Sequence, residues 1–151
     1  MADVVTKAKR SEMMAGIQGK NTKPEIVIRK ALHRQGFRFR LHVSNLPGKP
    51  DIVLPKYRAA ILVNGCFWHG HDCHLFKWPS SRIEFWRRKI EQNRINDERT
   101  RNTLLAAGWR VLTVHECALK GKTRLNFEMH STKIKKWICS SSRKLEIKGK
   151  T

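Results

Sequence analysis

The spacing of apolar and polar residues predicts three helices. Residues 22–25, Thr-Lys-Pro-Glu, have the form of a capping box that starts a helix, and Gly36 ends that helix. Residues 81–84, Ser-Arg-Ile-Glu, form a second capping box, for a long helix that runs to about Ala107. Apolar residues at helical spacing over 124–138 predict the last helix.

Alternating or continuous apolar segments between these helices predict strands. Residues 37–43 alternate apolar with basic or His, which indicates a strand with one solvated face. Residues 51–54 and 57–63 predict two further strands, and the uninterrupted apolar stretch 59–63 indicates burial on both faces. Residues 109–114 predict a fourth. The order α-β-β-β-α-β-α places the chain in the α/β or α+β class with a mixed sheet.

The length of 151 residues predicts one domain. Residues 1–21 are polar and basic and are predicted to be a mobile arm, and residues 22–139 form the domain. The Ser- and Lys-rich residues 140–151 are predicted to be a disordered tail. The N-terminus lacks an apolar signal core, and no apolar stretch is long enough to cross a bilayer. We therefore expect a cytoplasmic monomer with no membrane partner.

Basic residues dominate the charge balance. The 32 Lys and Arg residues face 12 Asp and Glu residues, a formal net charge of +20. Such a field attracts polyanions, and no basic amphipathic anchor is evident, so nucleic acid is favoured over a membrane surface. Charge alone leaves open a basic ribosomal or chromatin protein without enzymatic activity, because phosphate binding requires no catalysis.

Cysteine and histidine residues cluster in the irregular loop 64–79. Cys66, His71 and Cys73 lie close together, and Cys117 follows the fourth predicted strand. Four sulfur and nitrogen ligands suit a tetrahedral zinc ion, and a closed set of four leaves no position for chemistry. The alternative is that Cys66 and Cys117 are small buried apolar residues. We predict a structural zinc that ties the loop to a strand end.

Adjacent aromatic residues lie among these metal ligands. Phe67 and Trp68 are predicted to stack on, or wedge between, nucleic-acid bases rather than to pack in a core. Trp86, near the start of the long helix, fits either role. Trp109 and Trp137 are predicted core residues.

Three polar residues could support metal or proton chemistry. Asp51 opens a strand among basic neighbours, where a carboxylate can hold Mg²⁺ beside a phosphate, although Asp is also common in turns. His69 could be a general base, a plain loop residue or a rival of His71 for zinc. Glu25 could take part as well, and its structural alternative is to be the N3 member of the capping box.

Several motifs together resemble the very-short-patch repair (Vsr) mismatch endonucleases. The resemblance extends to about Cys139, and Gly-Cys-Phe-Trp-His with the downstream Glu-Cys-Ala is specific to that family. The motifs are Met1-Ala2-Asp3-Val4, Leu46-Pro47-Gly48-Lys49-Pro50-Asp51, Asn64-Gly65-Cys66-Phe67-Trp68-His69-Gly70-His71-Asp72-Cys73, Phe76-Lys77, Pro79, Glu84-Phe85-Trp86, Lys89-Ile90, Asn93, Gly108-Trp109-Arg110-Val111-Leu112 and Glu116-Cys117-Ala118-Leu119.

The resemblance implies a restriction-endonuclease-like fold of the PD-(D/E)xK type. It implies Mg²⁺-dependent hydrolysis of one DNA strand, 5′ to the T of a T·G mismatch, leaving a 5′-phosphate. Such mismatches arise when 5-methylcytosine deaminates. The partner would be double-stranded DNA, with repair proteins as further candidates, and residues 1–21 would close over the duplex.

The resemblance also implies a role for each candidate residue. Asp51 would bind Mg²⁺, His69 would activate water, and Glu25 would lie near the metal. Zinc would be held by Cys66, His71, Cys73 and Cys117. The DNA contacts would be Phe67, Trp68 and Trp86, which intercalate, together with Lys89 and Asn93.

Two departures from the expected pattern affect the active site. The superfamily's Glu-x-Lys is absent after Asp51, as is typical of this family. The family pattern has Thr-His where this chain has Val63 and Asn64. The Val63 carbonyl can still bind Mg²⁺, but Asn64 can only orient groups by hydrogen bonding, so more proton transfer falls to His69. The second hypothesis is therefore a zinc-stabilised DNA-binding module without catalysis. A sequence-specific restriction enzyme that cuts both strands is disfavoured.

Overall fold

The computed structural model describes residues 22–150; the predicted arm 1–21 lies outside these residues. The helices and strands follow in the order α1 (Lys23–Arg34), β1 (Arg40–Leu41), β2 (Ile52–Leu54), β3 (Ala59–Asn64), α2 (Ile83–Ala106), β4 (Arg110–His115), α3 (Phe127–Ile138) and β5 (Lys144–Ile147). Within the described residues, no helix has the length and apolarity needed to cross a membrane.

The five strands form one mixed sheet in the order β1-β2-β3-β4-β5. The pairs β1–β2 and β2–β3 are antiparallel, and the pairs β3–β4 and β4–β5 are parallel. Short connections suffice between antiparallel strands, whereas α2 and α3 are the crossovers that parallel neighbours require. The predicted α/β class with a mixed sheet is confirmed.

Helices cover both faces of the sheet, because residues of β3 alternate between two cores. Ala59 and Ile61 join one core with apolar residues of α1 and α3. Ala60 and Leu62 join a second core with Leu104 of α2. Residues 59–62 are all buried, as their continuous apolar character predicted. The sheet is therefore the middle layer of three, and its strand ends are free to carry a site.

The fifth strand corrects the prediction of a disordered tail over residues 140–151. Lys144–Ile147 pairs with β4, with Val111 opposite Lys144 and Val114 opposite Ile147. Ile147 is buried in the larger core. Composition misled here because a strand at the edge of a sheet can be stabilised by its backbone ladder and a single buried apolar side chain.

Several predicted boundaries also change. Thr22 caps α1 as predicted, but Ser81 does not cap α2, which follows a left-handed Arg82 with no side-chain cap. Residues 37–43 form only the two-residue strand Arg40–Leu41. Tyr57 lies in a 3₁₀ turn, Pro55–Tyr57, rather than in β3. In these segments, the need of backbone groups for hydrogen-bond partners determines the conformation more than the local side-chain pattern does.

Candidate active site and metal centre

An open cavity of about 1090 Å³ lies at the carboxyl ends of β3 and β4. In open α/β sheets, this end of the strands is where ligands bind. The cavity brings together residues that are far apart in the sequence. The predicted site residues that line it are Glu25, Asp51, Val63, Asn64, Phe67, Trp68, His69, Lys89 and Asn93.

The four predicted zinc ligands converge beside this cavity. One donor atom from each of Cys66, His71, Cys73 and Cys117 lies within 4.8 Å of all the others. The Sγ atoms of Cys66 and Cys117 are each 3.6 Å from His71 Nδ1. Tetrahedral bonds of about 2.3 Å to sulfur and about 2.0 Å to nitrogen place two ligands about 3.6 Å apart. The donor set and spacing therefore fit zinc.

Backbone N–H groups surround the cysteine sulfurs. The N–H of Cys117 donates to Cys66 Sγ, and the N–H of Gly149 donates to Cys117 Sγ, each at 3.3 Å. Burial raises the pKa of the Cys66 and Cys117 thiols, while burial lowers the pKa of His71. A bound cation would oppose the thiol shift, and a neutral imidazole is the form that binds metal.

A second histidine, His115, packs against the candidate zinc ligand His71 and was not predicted. The His115 ring stacks on His71 with centroids 3.9 Å apart and planes at 9°. His115 Nε2 lies 3.2 Å from Glu146 Oε1, so a residue of β5 holds the stacked ring. The sequence pattern of β4 gave no sign that His115 has this role, because the role depends on a partner in β5, a strand that was not predicted.

Asp51 belongs to a second cluster, with Glu25 and His42. One donor atom from each of the three lies within 4.8 Å of the others. Asp51 Oδ2 accepts a hydrogen bond from the Val63 N–H at 2.8 Å. Burial raises the pKa of Asp51 to about 6, with the Val63 N–H opposing the shift and the Glu25 charge adding to it. Two carboxylates at one cavity wall are suited to a hard divalent cation.

Glu25 makes its predicted capping contact and also lies in the cluster with Asp51; its role at a metal stays a prediction. Its N–H donates to Thr22 Oγ1 at 3.4 Å, which is the capping contact. Its carboxylate is only 2 % exposed and contacts Arg29 and His42. Sequence reasoning missed His42, which it placed among the alternating residues of a solvated strand face.

Asn64 ends β3 at the cavity wall. It is 7 % exposed and pairs in register with His115 of β4. Its neighbour Val63 is tied to Asp51 by its N–H; the role of the Val63 carbonyl as a Mg²⁺ ligand stays a prediction.

His69 is held by an unpredicted carboxylate. Its Nδ1 lies 2.5 Å from Asp97 Oδ2 on α2, and both side chains are partly exposed. Asp97 also lines the cavity. A carboxylate on Nδ1 fixes the tautomer and leaves Nε2 as the basic nitrogen. A mid-helix acidic residue 28 positions away offered no sequence signal for this pairing.

The predicted intercalating residues form one aromatic cluster. The ring centroids of Phe67 lie 5.3 Å from those of Trp68 and of Trp86, and the two tryptophans are 5.8 Å apart. All three side chains are half-buried. Each therefore packs on its neighbours and keeps some surface at or beside the cavity. By contrast, Trp137 is buried and Trp109 packs against the second core, as predicted.

Helix α2 fixes the loop that carries these residues. The Asn93 side chain donates to the Trp68 carbonyl at 2.7 Å, and Arg94 donates to the Gly70 carbonyl. Gly70 has a φ of +59°, and an added Cβ would lie 2.5 Å from Ile90 Cγ2. Asn93 thus has a structural contact; its predicted DNA contact, like that of exposed Lys89, stays a prediction.

Comparison with known proteins then identifies the family. A family model described as "DNA mismatch endonuclease Vsr" matches residues 2–75. The chain is 44 % identical over 147 residues to the DNA mismatch endonuclease Vsr of Escherichia coli (strain K12), covering 97 % of this chain and 94 % of the relative. This chain belongs to the DNA mismatch endonuclease Vsr family.

Other relatives extend the Vsr match. The "Type II nicking enzyme V.XorIIP" of Xanthomonas oryzae pv. oryzae is 47 % identical over 119 residues, covering 79 % of this chain and 88 % of the relative. The "Type II nicking enzyme V.NmeAIP" of Neisseria meningitidis is 44 % identical over 122 residues, or 81 % and 87 % of the two chains. The predicted Vsr resemblance is confirmed; assignment to the PD-(D/E)xK type stays a prediction.

Proposed function

We propose that this Vsr-family chain is a Mg²⁺-dependent endonuclease that nicks one strand of a DNA duplex 5′ to the T of a T·G mismatch. The product would carry a 5′-phosphate, and the mismatches would come from deaminated 5-methylcytosine in very short patch repair. The observation that supports this most is that carboxylates, a carboxylate-held histidine and paired aromatics line one cavity. Family membership supplies the reaction class.

The chain's own residues suit hydrolysis of a phosphodiester. Asp51 and the backbone carbonyl of Val63 would hold Mg²⁺. The bound ion would supply Lewis-acid charge at the phosphate. His69, oriented by Asp97, takes the proton of the attacking water. Asn64 cannot transfer protons, and its amide orients water or phosphate by hydrogen bonding.

The aromatic cluster and the positive charge suit a mismatched duplex as the substrate. Phe67, Trp68 and Trp86 pack edge-to-face into one apolar cluster, and apolar side chains of this kind can wedge between base steps. A mismatched step is easier to unstack than a paired one, so a wedge favours it. The net charge of +20 provides the phosphate attraction, with Lys89 and Asn93 at the cavity.

Zinc has a structural role in this proposal. Four ligands, Cys66, His71, Cys73 and Cys117, would fill all four coordination positions of the zinc ion, which leaves none for water. The ion would hold the loop that presents Phe67, Trp68 and His69. Catalysis would take place at the separate Asp51 cluster, in a protein that acts as a monomer.

A nicking assay tests the function directly. Purified protein is incubated with end-labelled duplexes that carry each mismatch in varied sequence contexts, with Mg²⁺ or with EDTA. We expect a single nick 5′ to the T of T·G, in Mg²⁺ only. Binding without a nick in any context would favour the zinc-stabilised DNA-binding module instead. Cleavage of both strands of perfectly paired DNA would indicate a restriction enzyme.

A further inference from the structure

An imidazole completes the cluster formed by the two carboxylates of the candidate active site. His42 directly follows β1, and its N–H donates to the Asp51 carbonyl at 3.0 Å. Its Nε2 lies 2.5 Å from Glu25 Oε1. The donor atoms of Glu25 on α1, of His42 just after β1 and of Asp51 just before β2 lie within 4.8 Å of one another.

His42 holds this position in an unfavourable backbone conformation. Its φ of 49° is in the left-handed region, which residues other than glycine adopt rarely. Such a conformation persists where the surroundings require it, often at ligand sites. The β1–β2 register, with Leu41 opposite Ile52, places residue 42 beside Asp51. The backbone thus directs this side chain to the carboxylates.

We infer that Glu25, His42 and Asp51 form a cation site that prefers a first-row transition metal such as Mn²⁺ over Mg²⁺. Mg²⁺ takes oxygen ligands almost exclusively, whereas an imidazole nitrogen favours transition metals and carboxylates suit Mn²⁺. The inference deepens the proposed function, on which its catalytic meaning rests, by naming the cation and assigning His42 as a ligand.

The spacing fits an octahedral ion after a small movement. With bonds of about 2.1 Å, adjacent ligands of such an ion lie about 3 Å apart and opposite ligands about 4.2 Å apart. The His42–Glu25 contact at 2.5 Å would open slightly to admit the ion. Arg29 contacts the same Glu25 oxygen at 3.1 Å, so its guanidinium competes with a bound ion for that carboxylate.

The competing explanation is an ion pair without a metal role. In that case His42 and Glu25 would only attach α1 to the end of β1. The two explanations differ in whether metal affinity depends on the His42 nitrogen.

The test is a Mn²⁺ titration of zinc-loaded protein without DNA, followed by the electron paramagnetic resonance signal of free Mn²⁺. We expect wild-type protein to bind one Mn²⁺ and His42→Gln to bind it at least about tenfold more weakly. Mg²⁺ affinity, measured by displacement of Mn²⁺, should change by less than about threefold, because an amide oxygen replaces the nitrogen. His33→Gln, an exposed histidine of α1, is the matched control.

A second readout and a second variant keep the result interpretable. Mn²⁺ should broaden the His42 ring resonances in NMR spectra of wild-type protein. Zinc content and the unfolding midpoint verify the fold, and His42→Asn replaces His42→Gln if the latter fails that check. Equal Mn²⁺ affinity in wild type and variant would overturn the inference. If Mn²⁺ binding depends on His42 but no mismatch is nicked with either metal, the proposed function is wrong and the inference of a cation site still holds.

Discussion

The two candidate metal clusters lie at the same end of one sheet but differ in donor chemistry and access. The zinc cluster has three sulfurs and one nitrogen, and Cys66 and Cys117 are buried. The Asp51 cluster has two oxygens and one nitrogen, and Glu25 and Asp51 line the open cavity. Soft ligands in a closed set suit a permanent structural ion, and hard ligands with open positions suit an exchangeable one. Separation by donor type would let one fold distinguish two ions with different functions.

The largest expected effect is loss of the zinc cluster. Cys117→Ser should abolish stoichiometric zinc and lower the free energy of unfolding by about 5 kcal/mol, because structural zinc binding is coupled to folding. Elemental analysis and urea unfolding measure the two quantities. Cys139→Ser, at an exposed cysteine outside the cluster, should retain zinc and wild-type stability. Retention of zinc by Cys117→Ser would show that the ligand set is wrong.

Removal of the Asp51 carboxylate should give the opposite phenotype. Asp51→Ala should slow nicking of a T·G duplex about a thousandfold, roughly 4 kcal/mol of transition-state stabilisation, because the metal loses a ligand. Zinc content and duplex affinity should change little. Glu128→Ala, at an exposed acidic residue of α3, should nick at the wild-type rate. Nicking by Asp51→Ala at that rate would remove Asp51 from the metal site.

The aromatic cluster connects the two regions, since its members Phe67 and Trp68 lie on the loop of the candidate zinc ligands and line the cavity. Trp68→Ala should weaken binding to mismatched duplex by about 1–3 kcal/mol, which is the value of base–aromatic stacking. Fluorescence anisotropy at fixed salt measures this loss. Trp78→Ala, at an exposed tryptophan outside the three-ring cluster, is the control. Equal losses in both variants would argue against a specific wedge.

The smallest effect is expected at a buried histidine outside both clusters. Burial lowers the pKa of His130 from its ordinary value of 6.5. Its contribution to stability is therefore complete above pH 6.5 and is lost as pH falls below that value, where the unfolded chain takes up the proton. His130→Leu should lose less stability than wild type between pH 7.5 and 5.5 in urea unfolding. His33→Leu, an exposed control, should match wild type.

The convergence of Cys66, His71, Cys73 and Cys117 could be predicted from sequence because three of the four candidate ligands lie within residues 66–73. Cys117, at the end of a neighbouring strand, completes the set. Likewise, the apolar stretch 59–63 predicted the central strand β3, because a continuous apolar run is typical of a strand that is buried on both faces. Local composition was sufficient to predict these two features because each is specified mainly by the residues of one short segment.

The remainder of the site depends on contacts between distant elements. His42 and Asp97 each gain their roles from a partner on another element, and neither position differs in sequence from a solvated polar residue. Strand β5 is weakly apolar, and only its alternation over residues 144–147 could have indicated it. Pairwise tertiary contacts of this kind have no signature in a single sequence.

The continuity of α2 has a mechanical consequence. Its 24 residues contain no proline or glycine, so it is a rod about 36 Å long. Trp86 of the wedge and Asp97, which orients His69, lie on this rod eleven residues apart, or about 16 Å. In the proposed function, a displacement of Trp86 on entering the duplex would be transmitted along this stiff helix to Asp97, which holds His69. The same helix would then couple mismatch detection to alignment of the proposed base.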